Sequence, residues 1–406
     1  MRKHLAILLF AAILICLFAG CKNGGATTDT TVGTEAATEP ASTDDVSTQA
    51  LTETSKSDYS AWSVALLADA DNSDHPRNGI LREACKSWCD ARGASFSAYE
   101  ATEQSTSALK ALIDQAVEDG NRILILPGWT AADPIKDGLK KHPSVRFVLV
   151  DVTANFGKSY VFPENVCNVL FQEQVMGFMA GYAAVKLGYR HLSFVGAKNT
   201  APVIRCGYGC VQGANAAALE LDVEREIAVD FVYADTTAVS PAVTSYIEEM
   251  FRKKGVELCI ACGENVEASA YEAAQRTGSG RVIGTGTDMM LFLNPDDEAE
   301  PVETIVASAV KNYSAAVETV LTDVIERNLW SSYAGQTVSL GVVTAENSEA
   351  NYVRLTNDTK YDDGKFTIED YGALTAALIA GDYVVSDETK TKPSVVIAVN
   401  YLGNIT

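Results

Sequence analysis

From residue 62 the chain alternates short runs of large apolar residues with longer stretches whose apolar positions recur at helical spacing. WSVALLAD (62–69) is a continuous run of the kind a strand buried on both faces requires. In NGILREACKSWCDARG (78–93), Leu81, Ala84, Cys85 and Trp88 share one helical face, and Gly93 is the stop. ASFSAYEA reads as a second strand. STSALKALIDQAVEDG (105–120) repeats the helical pattern through Leu109, Leu112, Ile113, Ala116 and Val117 and ends at Gly120. RILILPG, a short helix to His142 and VRFVLVDV (145–152) complete a first series of βα units.

A second series follows. It runs through a helix over 172–188, the strand HLSFVGA, a helical stretch to Leu221, EIAVDFVYA, and a helix opened by Ser240 and Pro241. VELCIACG, a helix from Asn265 and RVIGTGTD (281–288) complete it. A long helix is predicted over 303–328 and a strand region over 337–343. FTIEDYGALTAALIAGDYVV (366–385) reads as a helix with a hairpin-like end, and KPSVVIAVNYL (392–402) as a strand of unassigned place. Two successive doubly wound series predict an α/β chain with two Rossmann-like lobes. Ligands of such sheets bind outside the carboxyl ends of the strands, so two facing lobes form a cleft there.

The N-terminal pattern is different. Arg2, Lys3 and His4 precede an apolar run over 5–20, and Cys21 follows at once. The run is short for a membrane span, which takes roughly 20 apolar residues, and reads as a signal peptide. Phe18-Ala19-Gly20-Cys21 resembles a lipobox, with Phe18 where Leu is usual, so Cys21 is the expected lipidation site. Acyl chains contribute about 0.8 kcal/mol per buried CH₂, which holds a multiply acylated cysteine on a membrane. Residues 22–58 are rich in Thr, Ala, Ser, Gly and Glu and lack aromatic residues; they read as a disordered tether.

The net charge of −21 argues against nucleic acid as a partner. Of nine cysteines, Cys16 leaves with the signal and Cys21 takes the lipid. Cys85, Cys89, Cys167, Cys206, Cys210, Cys259 and Cys262 remain, an odd set that does not suit a complete disulfide framework. They read mainly as small buried hydrophobes, with a redox Cys259-x-x-Cys262 pair as the alternative. No histidine stands at ligand spacing from a cysteine pair, so no metal site and no cofactor is expected. Asp69, Asp71 and Asp74 lack the spacing of a calcium loop. No G-x-S-x-G elbow, H-E-x-x-H pair or P-loop occurs, and the chain is not expected to be an enzyme.

Phe171-Gln172-Glu173-Gln174 with Gly177-Phe178-Met179-Ala180-Gly181-Tyr182 resembles the BMP family of lipoproteins, the PnrA-like purine nucleoside receptors. Phe194-Val195-Gly196-Ala197, Val203-Ile204-Arg205 with Gly209 and Gly213, Ala261-Cys262-Gly263, Glu272-Ala273-Ala274, Val282-Ile283-Gly284 with Asp288, and Ala309-Val310-Lys311-Asn312 continue the likeness in order over roughly residues 60–345. The resemblance implies a type I periplasmic-binding-protein-like fold with a three-strand hinge. It also implies an extracytoplasmic, lipid-anchored protein that passes a nucleoside to an ABC transporter permease. Another small polar ligand such as a sugar, a signalling receptor, and a nucleoside-cleaving or Cys259/Cys262 enzyme are the alternatives.

In the family the residues matching Asp288 and Lys311 contact the sugar. Asp288 otherwise caps the next segment, and Lys311 is otherwise a surface charge. Gly263 either lets backbone amides approach the ligand or serves as a turn glycine. Trp129, after RILILPG, either stacks on the base or fills the lobe core. In the first loop, Asp71 and Asn72 loosely match the family's polar pair, and Arg77 stands where the family has a stacking Phe; a guanidinium also stacks on bases. Asp133 is a further candidate. The expected division is residues 59–169 plus 289–335 for one lobe and 170–288 plus 336–406 for the other, with crossings near 169–171, 287–289 and 336–338.

Overall fold

The computed structural model describes residues 59–70, 75–152, 154–157, 159–263, 265–293 and 303–405. The signal peptide, Cys21 and the tether therefore lie outside the described residues, as do Asp71 and Asn72. Among the described residues, no helix is long and apolar enough to cross a membrane.

The first sheet is built from β1 (Ser63–Ala68), β2 (Ser95–Glu100), β3 (Ile123–Pro127), β4 (Arg146–Val150) and β5 (Val166–Phe171), joined by α1 (Pro76–Arg92), α2 (Thr106–Glu118) and α3 (Ala132–Lys141). The second contains β6 (His191–Gly196), β7 (Ala228–Tyr233), β8 (Leu258–Cys262), β9 (Arg281–Gly286) and β10 (Ile305–Lys311). Its helices are α4 (Glu173–Lys186), α5 (Ala201–Glu220), α6 (Pro241–Lys253), α7 (Asn265–Thr277) and the short α8 (Met289–Leu293). After β10 come α9 (Tyr313–Leu321), α10 (Trp330–Tyr333), β11 (Thr337–Leu340), β12 (Val353–Leu355), α11 (Ile368–Ala380) and β13 (Ala398–Asn404).

The sheet orders are β11-β5-β4-β3-β1-β2 and β12-β10-β9-β8-β6-β7-β13. Every pairing is parallel except β10 with β12. The winding reverses between β1 and β3 in one sheet and between β6 and β8 in the other. At such switch points the loops leave in opposite directions and open a crevice at the strand ends. The central strands are apolar throughout because helices cover both faces: β3 and β8 are buried at every position.

Local signals set the helix ends. His75 caps α1 by accepting from the Arg77 N–H at 3.1 Å, with Pro76 next in line. Ser105 caps α2 through the Ala108 N–H. Thr367 and Asp370 form a capping box at α11.

Two expectations are corrected. The stretch predicted as a helix over 303–328 begins instead as β10; IVASAVK is a β-branched buried run, and Asn312 then caps α9 through the Ala315 N–H. The lobe division shifts with it. Residues through Lys311 stay in the second sheet, because β10 pairs with β9 and β12, whereas β11 joins the first sheet beside β5. The chain changes sheet after β5, after β10 and after β11, so the first crossing falls at its expected place, the third just past it, and the second well after it. The later crossings are tied together. The Asn312 N–H donates to Tyr352 O at 2.8 Å, its side chain donates to Glu349 O and Asn351 O, and fully buried Asn351 accepts from the Val343 and Thr344 N–H groups.

Helices α4 and α5 touch at backbone distance. A Cβ added at Gly177, Gly181, Gly209 or Gly213 would lie 1.9–2.0 Å from a carbonyl oxygen of the opposite helix. Two glycines four residues apart on each helix make this approach possible, and α4 is thereby buried along nearly its whole length. Gly213→Ala is expected to lower unfolding free energy by about 1–3 kcal/mol or more, because backbone rather than a flexible side chain must move. Gly79→Ala, in the exposed part of α1 with nothing within 4 Å, is expected to raise it by about 0.5–1 kcal/mol. Urea denaturation of both variants checks the pair; equal effects would contradict the close helix contact.

Candidate functional site

The strand ends of both sheets lead to one buried polar cluster. Lys311 closes β10, Asp151 follows β4, and Glu173 opens α4 straight after β5. The Lys311 ammonium lies 2.8 and 2.9 Å from the two Asp151 oxygens and 3.1 Å from Glu173 Oε1. Arg205 of α5 donates from Nε to Glu173 Oε2 at 2.9 Å, and the Tyr313 hydroxyl donates to Asp151 Oδ2 at 2.9 Å. Below them Phe171 meets Tyr313 edge to face at 5.1 Å, and the Lys311 ammonium sits 5.6 Å above the Phe171 ring.

Burial alone would raise the Asp151 pKa, but Lys311 and Arg77 outweigh it and hold the carboxyl below its ordinary range. Burial works equally against a charged Lys311, and Asp151 and Glu173 reverse that and push its pKa up. Each charge in the cluster is thus held by the others. Asp151 also adopts φ 54°, a left-handed conformation uncommon outside glycine.

Lys311 is therefore not a surface charge. Its donors are engaged by carboxylates, so a sugar contact through Lys311 replaces one of these bonds. Asp288, just beyond β9, is half-buried; one of its oxygens accepts from the Met290 N–H at 2.9 Å, so it does cap the following turn. Burial, and then Asp358, raise its pKa. Gly263 has φ 101° at the end of β8, and a Cβ there would meet the Ala197 Cβ, beyond β6, at 2.8 Å. Both features require glycine at the second switch point.

At the first switch point, Arg77 lies in the first turn of α1 and is 6% exposed. Its guanidinium packs on Gly128, at the end of β3, where a Cβ would lie 2.1 Å from Nη2. Trp129 is corrected from a stacking residue to a core residue: it is fully buried among Leu126, Ile135 and Leu149, and its Nε1 donates to Leu67 O at 2.7 Å. It has no ring face left for a ligand. Asp133 is exposed in the first turn of α3, 3.9 Å from Lys136, and does not join the cluster.

The cysteine pair reading is also corrected. All seven cysteines among the described residues are buried and unbridged. Cys259 and Cys262 stand three apart on β8 and enter different apolar clusters on its two faces, so their thiols cannot meet. A cavity of about 370 Å³ borders Trp88, Arg92, Glu318 and Thr322 along α1 and α9, away from the strand ends.

Sequence reasoning did not single out Asp151, Tyr313 or His75. Asp151 carries the same signal as Asp288, a carboxylate at the end of an apolar strand. Glu173 and Arg205 stand inside the recognised motifs, but their pairing depends on the α4–α5 contact.

A family model described as ABC transporter substrate-binding protein PnrA-like matches residues 61–367. Basic membrane protein B of Borreliella burgdorferi is 23% identical over 233 residues, which are 57% of this chain and 63% of that protein. The chain thus spans less than two thirds of that relative's length. A Lactococcus lactis protein named ABC transporter nucleoside-binding protein BmpA is 22% identical over 289 residues, 68% of this chain and 77% of its own. A solute-binding protein of an ABC transporter system from Aeropyrum pernix shares the fold with a TM-score of 0.56 at 18% identity, over 80% of this chain and 94% of that one. One from Conexibacter woesei gives 0.58 at 16% identity, over 80% and 99%.

The cap of α1 generates a pH prediction. Burial first, and then Arg77, lower the His75 pKa from 6.5 to about 3. The folded protein thus prefers the neutral ring, whose Nδ1 must stay unprotonated to accept from Arg77. The stability this contributes is present above 6.5 and is lost as pH falls toward about 3. Going from about pH 7.5 to about pH 5 should cost the wild type about 1–2 kcal/mol more than His75→Asn, which keeps a capping oxygen without the titration. Urea denaturation at both pH values measures the difference; identical losses would exclude His75 as the source.

Proposed function

This chain belongs to the PnrA-like family of ABC transporter substrate-binding proteins, a solute-binding and not an enzymatic class, and we propose that it captures a nucleoside at its strand-end cleft and delivers it to an ABC importer. The observation that carries this reading is the convergence of both sheets' carboxyl ends on one buried polar cluster, with both switch points at its margins. The name of the Lactococcus lactis relative supports a nucleoside as ligand.

In this reading Asp288 accepts from ribose hydroxyls with the capacity its cap leaves free. The tight turn at Gly263 lets the ligand approach the backbone. Lys311 and Asp151 tie the two lobes at their crossing, and ligand bridging both lobes favours the closed state through differential affinity. A purine is the favoured base, from the family resemblance. Cys21 anchors the protein on the extracytoplasmic face of the membrane, and the tether carries the folded part toward the permease.

A thermal-shift series with purine and pyrimidine nucleosides, free bases, sugars and amino acids tests the proposal. A ligand at 100 times its Kd adds about 2.7 kcal/mol to stability. Inosine or guanosine should raise the Tm, and Asp288→Asn should weaken binding about 10- to 100-fold, the worth of a charged hydrogen bond. A shift with sugars or amino acids alone would replace the nucleoside reading.

A further inference from the structure

Resting on the nucleoside reading, we propose that Arg77 sets the base preference of the cleft by hydrogen-bonding the acceptor edge of a 6-oxopurine. Arg77 is more than nine-tenths buried, yet its Nε and Nη2 have no hydrogen-bond partner among the described residues. These two atoms form one side of the guanidinium, so the unpartnered donors are adjacent, parallel and spaced for a bidentate acceptor. Folded proteins seldom leave such donors unpaired when buried. Their place against Gly128, where the first sheet reverses its winding, is where an α/β sheet receives its ligand.

The surrounding charge decides which acceptor fits. Asp151 already stands within electrostatic reach of Arg77, and Glu173 and Asp288 line the same strand-end margin. Lys311 and Arg205 pair with Asp151 and Glu173, and Asp151 lies near Arg77, so the positive charge of Arg77 is already opposed without an anionic ligand. What the guanidinium lacks is acceptors for Nε and Nη2, and a neutral edge with two acceptors supplies them. O6 and N7 of a 6-oxopurine are such an edge, and arginine reads guanine through them in duplex DNA. A 6-aminopurine presents N7 beside an amino group, and that amino group would oppose a donor of Arg77.

Isothermal titration of the full chain in detergent with inosine, guanosine, adenosine, 7-deazaguanosine and inosine 5′-monophosphate tests this. The wild type should bind inosine and guanosine roughly 5- to 150-fold more tightly than adenosine, the worth of one good bidentate pair. Removing N7 in 7-deazaguanosine should weaken binding several-fold, a result that needs no variant. Arg77→Met should bring the affinities for inosine, guanosine and adenosine together. Equal wild-type affinities for inosine and adenosine, no response to loss of N7, or preference for the monophosphate would each overturn the assignment to Arg77 while leaving the nucleoside reading in place. Absence of binding to every nucleoside would overturn both.

Discussion

A buried ammonium between two carboxylates organises this protein. Taking Lys311, Asp151 and Glu173 out of water costs several kcal/mol per ion, and only close geometry with full hydrogen bonding offsets it. Lys311 bonds to both carboxylates, Tyr313 adds a hydrogen bond to Asp151, and Arg205 completes Glu173. Asp151 follows the inner strand β4 of the first sheet, Lys311 closes β10 of the second, and Glu173 opens the helix that follows the first crossing. The arrangement forms only when both sheets present their carboxyl ends at one place. Loss of any one member leaves another charge buried without compensation.

The rest of the second lobe serves that placement. Arg205 reaches Glu173 because α4 and α5 lie at backbone contact, and four glycines permit the contact. The same sheet extends past the region matched by the family model. β13 adds in parallel to β7, so an edge that would otherwise present unpaired backbone groups is covered. Tyr371 of α11 accepts from the Leu355 N–H at 2.9 Å and ties the C-terminal helix to β12.

The strand-end region combines rigid and unsatisfied parts. Gly263 and Gly128 hold tight turns at the two switch points. Asp288 spends one oxygen on the turn beyond β9. Arg77 is fixed at the start of α1 by the His75 cap, while one side of its guanidinium stays unpartnered among the described residues. The seven thiols contribute packing, and burial drives the Cys259 pKa up to about 12, away from thiolate chemistry.

Sequence alone determined the local elements and the fold class. Apolar runs such as ILILP and LCIAC are strands because only a doubly covered parallel strand buries every position, and the helix before ILILP stops just short of Gly120, where its apolar periodicity ends. Asp288 and Lys311 were visible through motifs at strand ends, and Arg77 as a departure from them. Tertiary structure decided what a one-dimensional pattern does not carry. IVASAVK is equally apolar as helix or strand, and its pairing with β9 and β12 made it a strand and moved a lobe boundary. Trp129 follows a strand end like a ligand-binding aromatic, but an inward indole with a carbonyl partner at Leu67 placed it in the core. Lys311 looks the same in sequence whether it meets solvent, sugar or carboxylate; residues 138 and 160 positions away surround it, and only the crossing of the two sheets brings them there.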